Sequence, residues 1–113
     1  MKWKHITDGI ETTVLHKGKN FDTNEINHVA AGDLMSEVLV VDKEGFIIVT
    51  ALTSEQVVRT ADIVGACGII IVNGKPPQRG MRELAEESDI TILSTRLSLF
   101  RTCYLLGTLL EKY

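Results

Sequence analysis

The sequence predicts an α/β domain of three α/β/α layers around a mainly parallel or mixed sheet. Three observations carry that expectation. Phe46–Thr50 and Gly68–Val72 are continuous apolar runs, the pattern of strands covered by helices on both faces. Between them, Val57, Val58, Ala61 and Val64 fall on one helical face, with Glu55, Arg59, Thr60 and Asp62 on the other. A second helical stripe, Met81, Leu84 and Ala85, leads to a third strand at Thr91–Leu93. Strand–helix–strand units of this kind cross over right-handedly, which restricts the local topology.

The elements follow in order. Glu11–His16 is β-branched and partly alternating and predicts a strand, while the residues before it show no regular element. Turn chemistry at Lys17–Asn20 and Asp22–Asn24 precedes a second short strand, Ile26–Gly32. Asp33 is expected to cap a short helix through Leu34, Met35 and Val38. Thr53 and Gln56 have the spacing of a capping box at the start of the central helix, and Gly65 and Gly68 bracket its end. Asn73–Pro77 reads as a loop whose prolines suit a helix start. Leu97–Leu110 reads as a terminal helix.

Composition narrows the function classes. The 113 residues suit a single domain, 1–113, and 44% hydrophobic with 24% charged residues is ordinary for a globular chain. A net charge of -3, with no basic tract, gives no reason to expect nucleic acid. No apolar run approaches the roughly 20 residues of a bilayer span, and no signal-peptide core follows Met1–His5, so a cytoplasmic address and no membrane partner are expected. Cys67 and Cys103 read as reduced, core-type thiols, and no metal or other cofactor is expected.

No motif specifies a reaction. Gly74-Lys75-Pro76-Pro77-Gln78-Arg79-Gly80 has the letters of a phosphate loop in the wrong order, and its prolines remove two amide donors. No dinucleotide fingerprint and no nucleophile elbow occur, so no catalytic residue is assigned and an enzyme is not expected. His16 and His28 could face each other across neighbouring strands, but without a third ligand they read as ordinary histidines. Two features stand out. Beyond the carboxyl ends of the strands lie Thr50, Thr53, Ser54, Asn73, Gly74, Thr95 and Arg96, a hydroxyl- and amide-rich rim suited to a small anion, with Gly32 and Asp33 joining if the early strand shares the sheet. The same residues also serve as caps and turns, so the rim has a purely structural reading as well. The terminal helix carries an unusually broad apolar arc: Leu99, Cys103, Leu106 and Leu110 form one stripe, widened by Phe100, Tyr104, Leu105 and Leu109. Leu99, Phe100, Cys103, Tyr104, Leu106 and Leu110 are accordingly expected at a homodimer interface.

Three stretches carry a family resemblance: Ala31–Val38 followed by Ile47–Thr50, Ala66–Pro77, and Ile92–Phe100. Together, over about Ile26 to Gly107, they resemble the stand-alone DRTGG-domain proteins, a family similar in fold to the N-terminal domain of HPr kinase/phosphorylase. The domain also occurs in phosphotransacetylases and beside CBS domains in some pyrophosphatases, and stand-alone members are associated with iron-hydrogenase gene sets. Where the family shows Thr-Gly-Gly, this chain has Val72-Asn73-Gly74, and the family's Asp-Arg pair is replaced near Leu52-Thr53. The resemblance implies a non-catalytic regulatory or assembly domain, one version of which senses a small phosphorylated ligand or nucleotide. The alternative it implies is an accessory subunit of a redox enzyme, a scaffold with a redox-enzyme partner protein and no small-molecule site.

Overall fold

A computed structural model describes residues 1–113. Ten elements follow one another: α1 (Trp3–Gly9), β1 (Thr13–His16), β2 (His28–Ala31), α2 (Met35–Val38), β3 (Phe46–Thr50), α3 (Glu55–Val64), β4 (Gly68–Ile71), α4 (Arg79–Ser88), β5 (Thr91–Ser94) and α5 (Leu99–Lys112). The five strands form one mixed sheet in the order β1-β5-β4-β3-β2. β2, β3, β4 and β5 are parallel neighbours, and β1 closes the far edge antiparallel to β5.

Side-chain alternation along the strands divides the core in two. Phe46, Ile48, Ile69, Ile71 and Ile92 face α2, α3 and α4. Ile47, Val49, Ile70, Val72 and Leu93 face the other way, onto a layer built from α1 and α5. Both faces are therefore dry, which is why β3 and β4 read as unbroken apolar runs; each fully buried isoleucine contributes about 2 kcal/mol of transfer free energy. The expected three-layer α/β/α fold is what the chain adopts.

Several local expectations change. Residues 3–9 form a helix that the sequence reading left out. Trp3 and Ile6 are fully buried, the Trp3 indole stacks on Phe21 at 5.9 Å, and Trp3 Nε1 donates to Asn24 Oδ1 at 3.2 Å. Asp33 does not cap α2, whose N-cap is Leu34 without a side-chain bond. Its carboxylate instead accepts from Thr50 Oγ1 at 2.8 Å and from the Ala51 amide at 2.9 Å, tying the end of β2 to the end of β3. Thr53 and Gln56 form no capping box, since α3 begins after Ser54 and has no side-chain cap. Thr60 is buried rather than on the solvent face. Gly65 does end α3 in the left-handed conformation, φ 70°. The terminal helix starts at Leu99, where Ser98 Oγ accepts from the Arg101 amide at 3.1 Å.

The sheet order also separates His16 and His28, because β1 and β2 are its two opposite edges. His16 Nε2 pairs with Asp89 Oδ1 at 3.0 Å, and His28 stands edge-on to Phe46. They cannot form half a metal site.

Candidate functional site

The rim predicted beyond the strand ends exists, since β3, β4 and β5 lie side by side and parallel. Its residues, however, differ in what they have left to offer. Thr50 is fully buried; its hydroxyl donates to Asp33 and accepts from the Leu52 amide at 3.2 Å. Thr95 is likewise buried, its hydroxyl donating to the Glu11 carbonyl at 2.8 Å and accepting from the Leu97 amide at 3.3 Å. Each hydroxyl thus accepts from the amide two residues on and donates to a neighbouring segment, Thr50 as the last residue of β3 and Thr95 as the first after β5.

Asn73 and Gly74 take consecutive left-handed conformations, both at φ 64°. Glycine accommodates this freely, and asparagine tolerates it better than most side chains. The turn aims both amides inward: Asn73 N donates to Leu97 O at 2.8 Å and Gly74 N to Thr95 O at 2.9 Å. The expectation that these two amides hold an anion is therefore corrected, because the framework already uses them. Gly74 lies against Arg96, whose Cα and Cγ would be 3.8 Å from an added Cβ.

Thr53, Ser54 and Arg96 remain. The Thr53 carbonyl accepts from the Gln78 amide at 2.9 Å, which draws the 73–78 loop over toward α3. No hydrogen bond within the chain satisfies the amides of Thr53 and Ser54, and the first-turn amides of α3 point the same way by helix geometry. Arg96 is exposed and makes no ion pair. The rim can thus present free amides on one side and a guanidinium on the other, over a surface that is not concave: none of the three surface hollows is lined by Thr53, Ser54 or Arg96.

The largest hollow, about 320 Å³, lies at the opposite end of the sheet. It opens where α3 and α4 terminate and where β4 and β5 begin, with the 18–24 loop as its other wall. A smaller one of about 210 Å³ runs between the edge strand β2 and α2. Neither was visible in the sequence, because both depend on how loops meet helix ends.

On α5 the predicted arc splits. Leu106 is 1% exposed and belongs to the core beneath the sheet, so it is corrected from interface to support. Leu99, Cys103, Leu105, Leu109 and Leu110 are half-buried on the same cluster. Phe100 and Tyr104 stand out at 79% and 58% exposed, one helical turn apart. The Arg101 guanidinium lies 5.6 Å from the Tyr104 ring centroid. Burial pushes the thiols of Cys67 and Cys103 above their ordinary pKa, and both are free cysteines. No helix is long and apolar enough to cross a membrane.

Comparison with known proteins separates sequence from shape. The sequence matches no protein-family profile and no curated protein. In structure, the chain is similar to the CBS and DRTGG domains of the regulatory region of Clostridium perfringens pyrophosphatase, a protein solved in complex with its activator, diadenosine tetraphosphate. The superposition has a TM-score of 0.73 at 16% sequence identity and covers 96% of this chain. The likeness is one of fold. This chain spans about half of the solved region, 46% of its length.

Proposed function

We propose that this chain is a non-catalytic regulatory or assembly domain that works by binding, as a homodimer joined through α5. The observation that carries this reading is the Phe100–Tyr104 pair. Two large aromatic side chains stand in solvent, on a helix whose inner face already closes the core. Aromatics of this size are the usual anchors of protein interfaces. Leu99, Cys103 and Leu110 flank them, and Leu106 holds the helix in place from behind. Fold likeness to a regulatory region supports the regulatory part. It lends the redox-subunit alternative no support.

The DRTGG reading rests on the residue resemblance together with that likeness of fold. Kinship with the HPr kinase N-terminal domain, a hydrogenase association and a cytoplasmic setting belong to the same reading and rest on the resemblance and sequence character alone. In its ligand-sensing form, a small phosphorylated molecule or nucleotide is held by the amides of Thr53 and Ser54, with Arg96 pairing its charge. Thr50, Thr95, Asn73 and Gly74 then shape the rim rather than touch the ligand.

An amide-resolved titration with ATP and with inorganic phosphate tests the ligand form. Saturable shifts at Thr53–Gln56 and Arg96 are expected, and an unmoved rim removes ligand sensing from the proposal. Sedimentation of the chain at rising concentration tests the assembly form, with a monomer–dimer equilibrium expected and a monomer throughout as the contradicting result.

A further inference from the structure

β1 and β2 are the two edges of the sheet, and the chain treats them differently. An uncovered edge strand invites pairing with another chain, and proteins ordinarily blunt it with a bulge, a proline or a charged side chain. β1 has an irregularity between Val14 and His16, and its His16 is paired with Asp89. β2, His28-Val29-Ala30-Ala31, runs in unbroken register and carries no proline, lysine, arginine or acid. That register sets Ala30 beside Ile48 and Ala31 beside Val49, and the Gly32 amide donates to Val49 O at 2.9 Å. Successive residues of a strand turn their N–H and C=O groups to opposite sides, so Ala30 and Gly32 bond β3 while Val29 and Ala31 point outward. No loop of the chain takes those outward groups, and Ala31 is exposed.

The surface beside this edge is apolar within an acidic frame. The hollow of about 210 Å³ is walled by Ala30, Leu34, Val38 and Val41, together with Glu37. Leu34, Leu39 and Val40, close together in sequence, are 58%, 47% and 78% exposed. Glu37 is exposed and makes no ion pair. The same holds for Asp42 and Glu44, in the loop that Gly45 ties to Asn27 at the start of β2. Lys43 is the one base among them. Outward backbone donors and acceptors in a row are matched by extended backbone. A second copy fits poorly, because two-fold pairing of β2 with β2 brings its Glu37, Asp42 and Glu44 toward the same acids of the first.

We propose that β2 is a docking edge for an extended, basic segment of another protein, which adds to the sheet as a further strand. Its backbone pairs with Val29 and Ala31. On the α2 side its side chains alternate between an apolar one, which enters the hollow, and a lysine or arginine, which meets Glu37. The test is an amide-resolved titration with the peptide acetyl-Val-Thr-Lys-Thr-Val-Thr-Lys-amide, which puts valine and lysine on one face of a strand. One control peptide carries glutamate for lysine, and another carries proline for threonine. Saturable shifts are expected at His28–Gly32 and Leu34–Val41 with the lysine peptide and with neither control. Ala31→Pro removes an outward donor that the sheet does not use, so circular dichroism is expected to hold while binding is lost. Glu37→Lys, on an exposed side chain, is expected to weaken binding about tenfold. The proposal is overturned by no saturable shift, by an equal response to either control peptide, or by unchanged affinity in Glu37→Lys. A parent dimer that survives the combined Phe100→Ser and Tyr104→Ser substitutions but dissociates in Ala31→Pro gives the edge to a second copy and overturns it as well.

Discussion

Replacing Gly68 with alanine is expected to destabilise the fold by about 3 kcal/mol, at the upper end of what overpacking usually costs. Gly68 opens β4 at the point where α1 lies across the sheet. A Cβ built there would sit 2.6 Å from the Thr91 carbonyl oxygen and 2.6 and 3.0 Å from Trp3 Cζ2 and Cη2. Ordinary contact needs nearly an ångström more than the shorter of these distances allows. The carbonyl is part of the β4–β5 ladder, and Trp3 is 0% exposed with its indole nitrogen bound to Asn24. Neither neighbour can yield cheaply. For a chain of this size, with a urea m-value of about 1.5 kcal/mol per M, the unfolding midpoint should fall by about 2 M. At concentrations where the chain is monomeric, Gly107→Ala is the internal control, since Gly107 lies one turn beyond Tyr104 on the face proposed for self-association. Gly107 lies exposed in α5 with open space around it, so the same substitution should stabilise by up to about 1 kcal/mol through helix propensity. If Gly68→Ala unfolds at the parent midpoint, the packing of Trp3 on β4, and with it the α1 layer, is refuted.

Two further outcomes follow from single side chains. Thr102 is fully buried on α5 and its hydroxyl has no hydrogen-bond partner. Thr102→Val should therefore gain about 1 kcal/mol and raise the thermal midpoint by about 4 °C, whereas a loss would mean that the hydroxyl is satisfied. The hydrogen bond from His16, reinforced by the Lys19 amide, holds the Asp89 carboxyl below its ordinary pKa of 3.8. A depressed folded pKa gives stability that is present above the unfolded value and lost as pH falls through the folded one. Asp89→Asn should thus flatten the acid side of the stability profile, below about pH 4, and an unchanged acid limb would contradict the pairing.

The fold was legible wherever burial is two-sided. Phe46–Thr50 and Gly68–Ile71 announced themselves because every side chain on them is buried, and Gly65 because helix ends favour a residue that tolerates positive φ. The first helix was legible in principle: Trp3, Ile6 and Ile10 are spaced three and four apart, and all are buried. Seven residues between charged and polar neighbours gave too short a period to stand out. Capping was misread for a different reason. Asp33 and Thr53 are good caps by residue type, but the sheet brings the Thr50 hydroxyl to Asp33, a contact that is not local in sequence, and α3 begins one residue later than the Thr53–Gln56 spacing implied, after Ser54.

The candidate site was legible only as a location. Parallel strands fix where their carboxyl ends lie, so the residues that follow β3, β4 and β5 could be grouped at one edge of the sheet. Which of its amides are free depends on the turn at Asn73–Gly74, whose paired left-handed residues send both N–H groups back to the chain at Thr95 and Leu97. On α5, periodicity gave the apolar arc, but only packing could separate Leu106, inside, from Phe100 and Tyr104, outside.

The central claim is that this domain works by self-association through α5, and solution mass measures it most directly. Sedimentation equilibrium of the parent chain should give a species approaching twice the 12.5 kDa chain mass as concentration rises. Phe100→Ser combined with Tyr104→Ser, both on exposed side chains, should return the protein to 12.5 kDa with its circular dichroism unchanged. A parent chain that stays monomeric, or a dimer that survives the double substitution, would contradict the account.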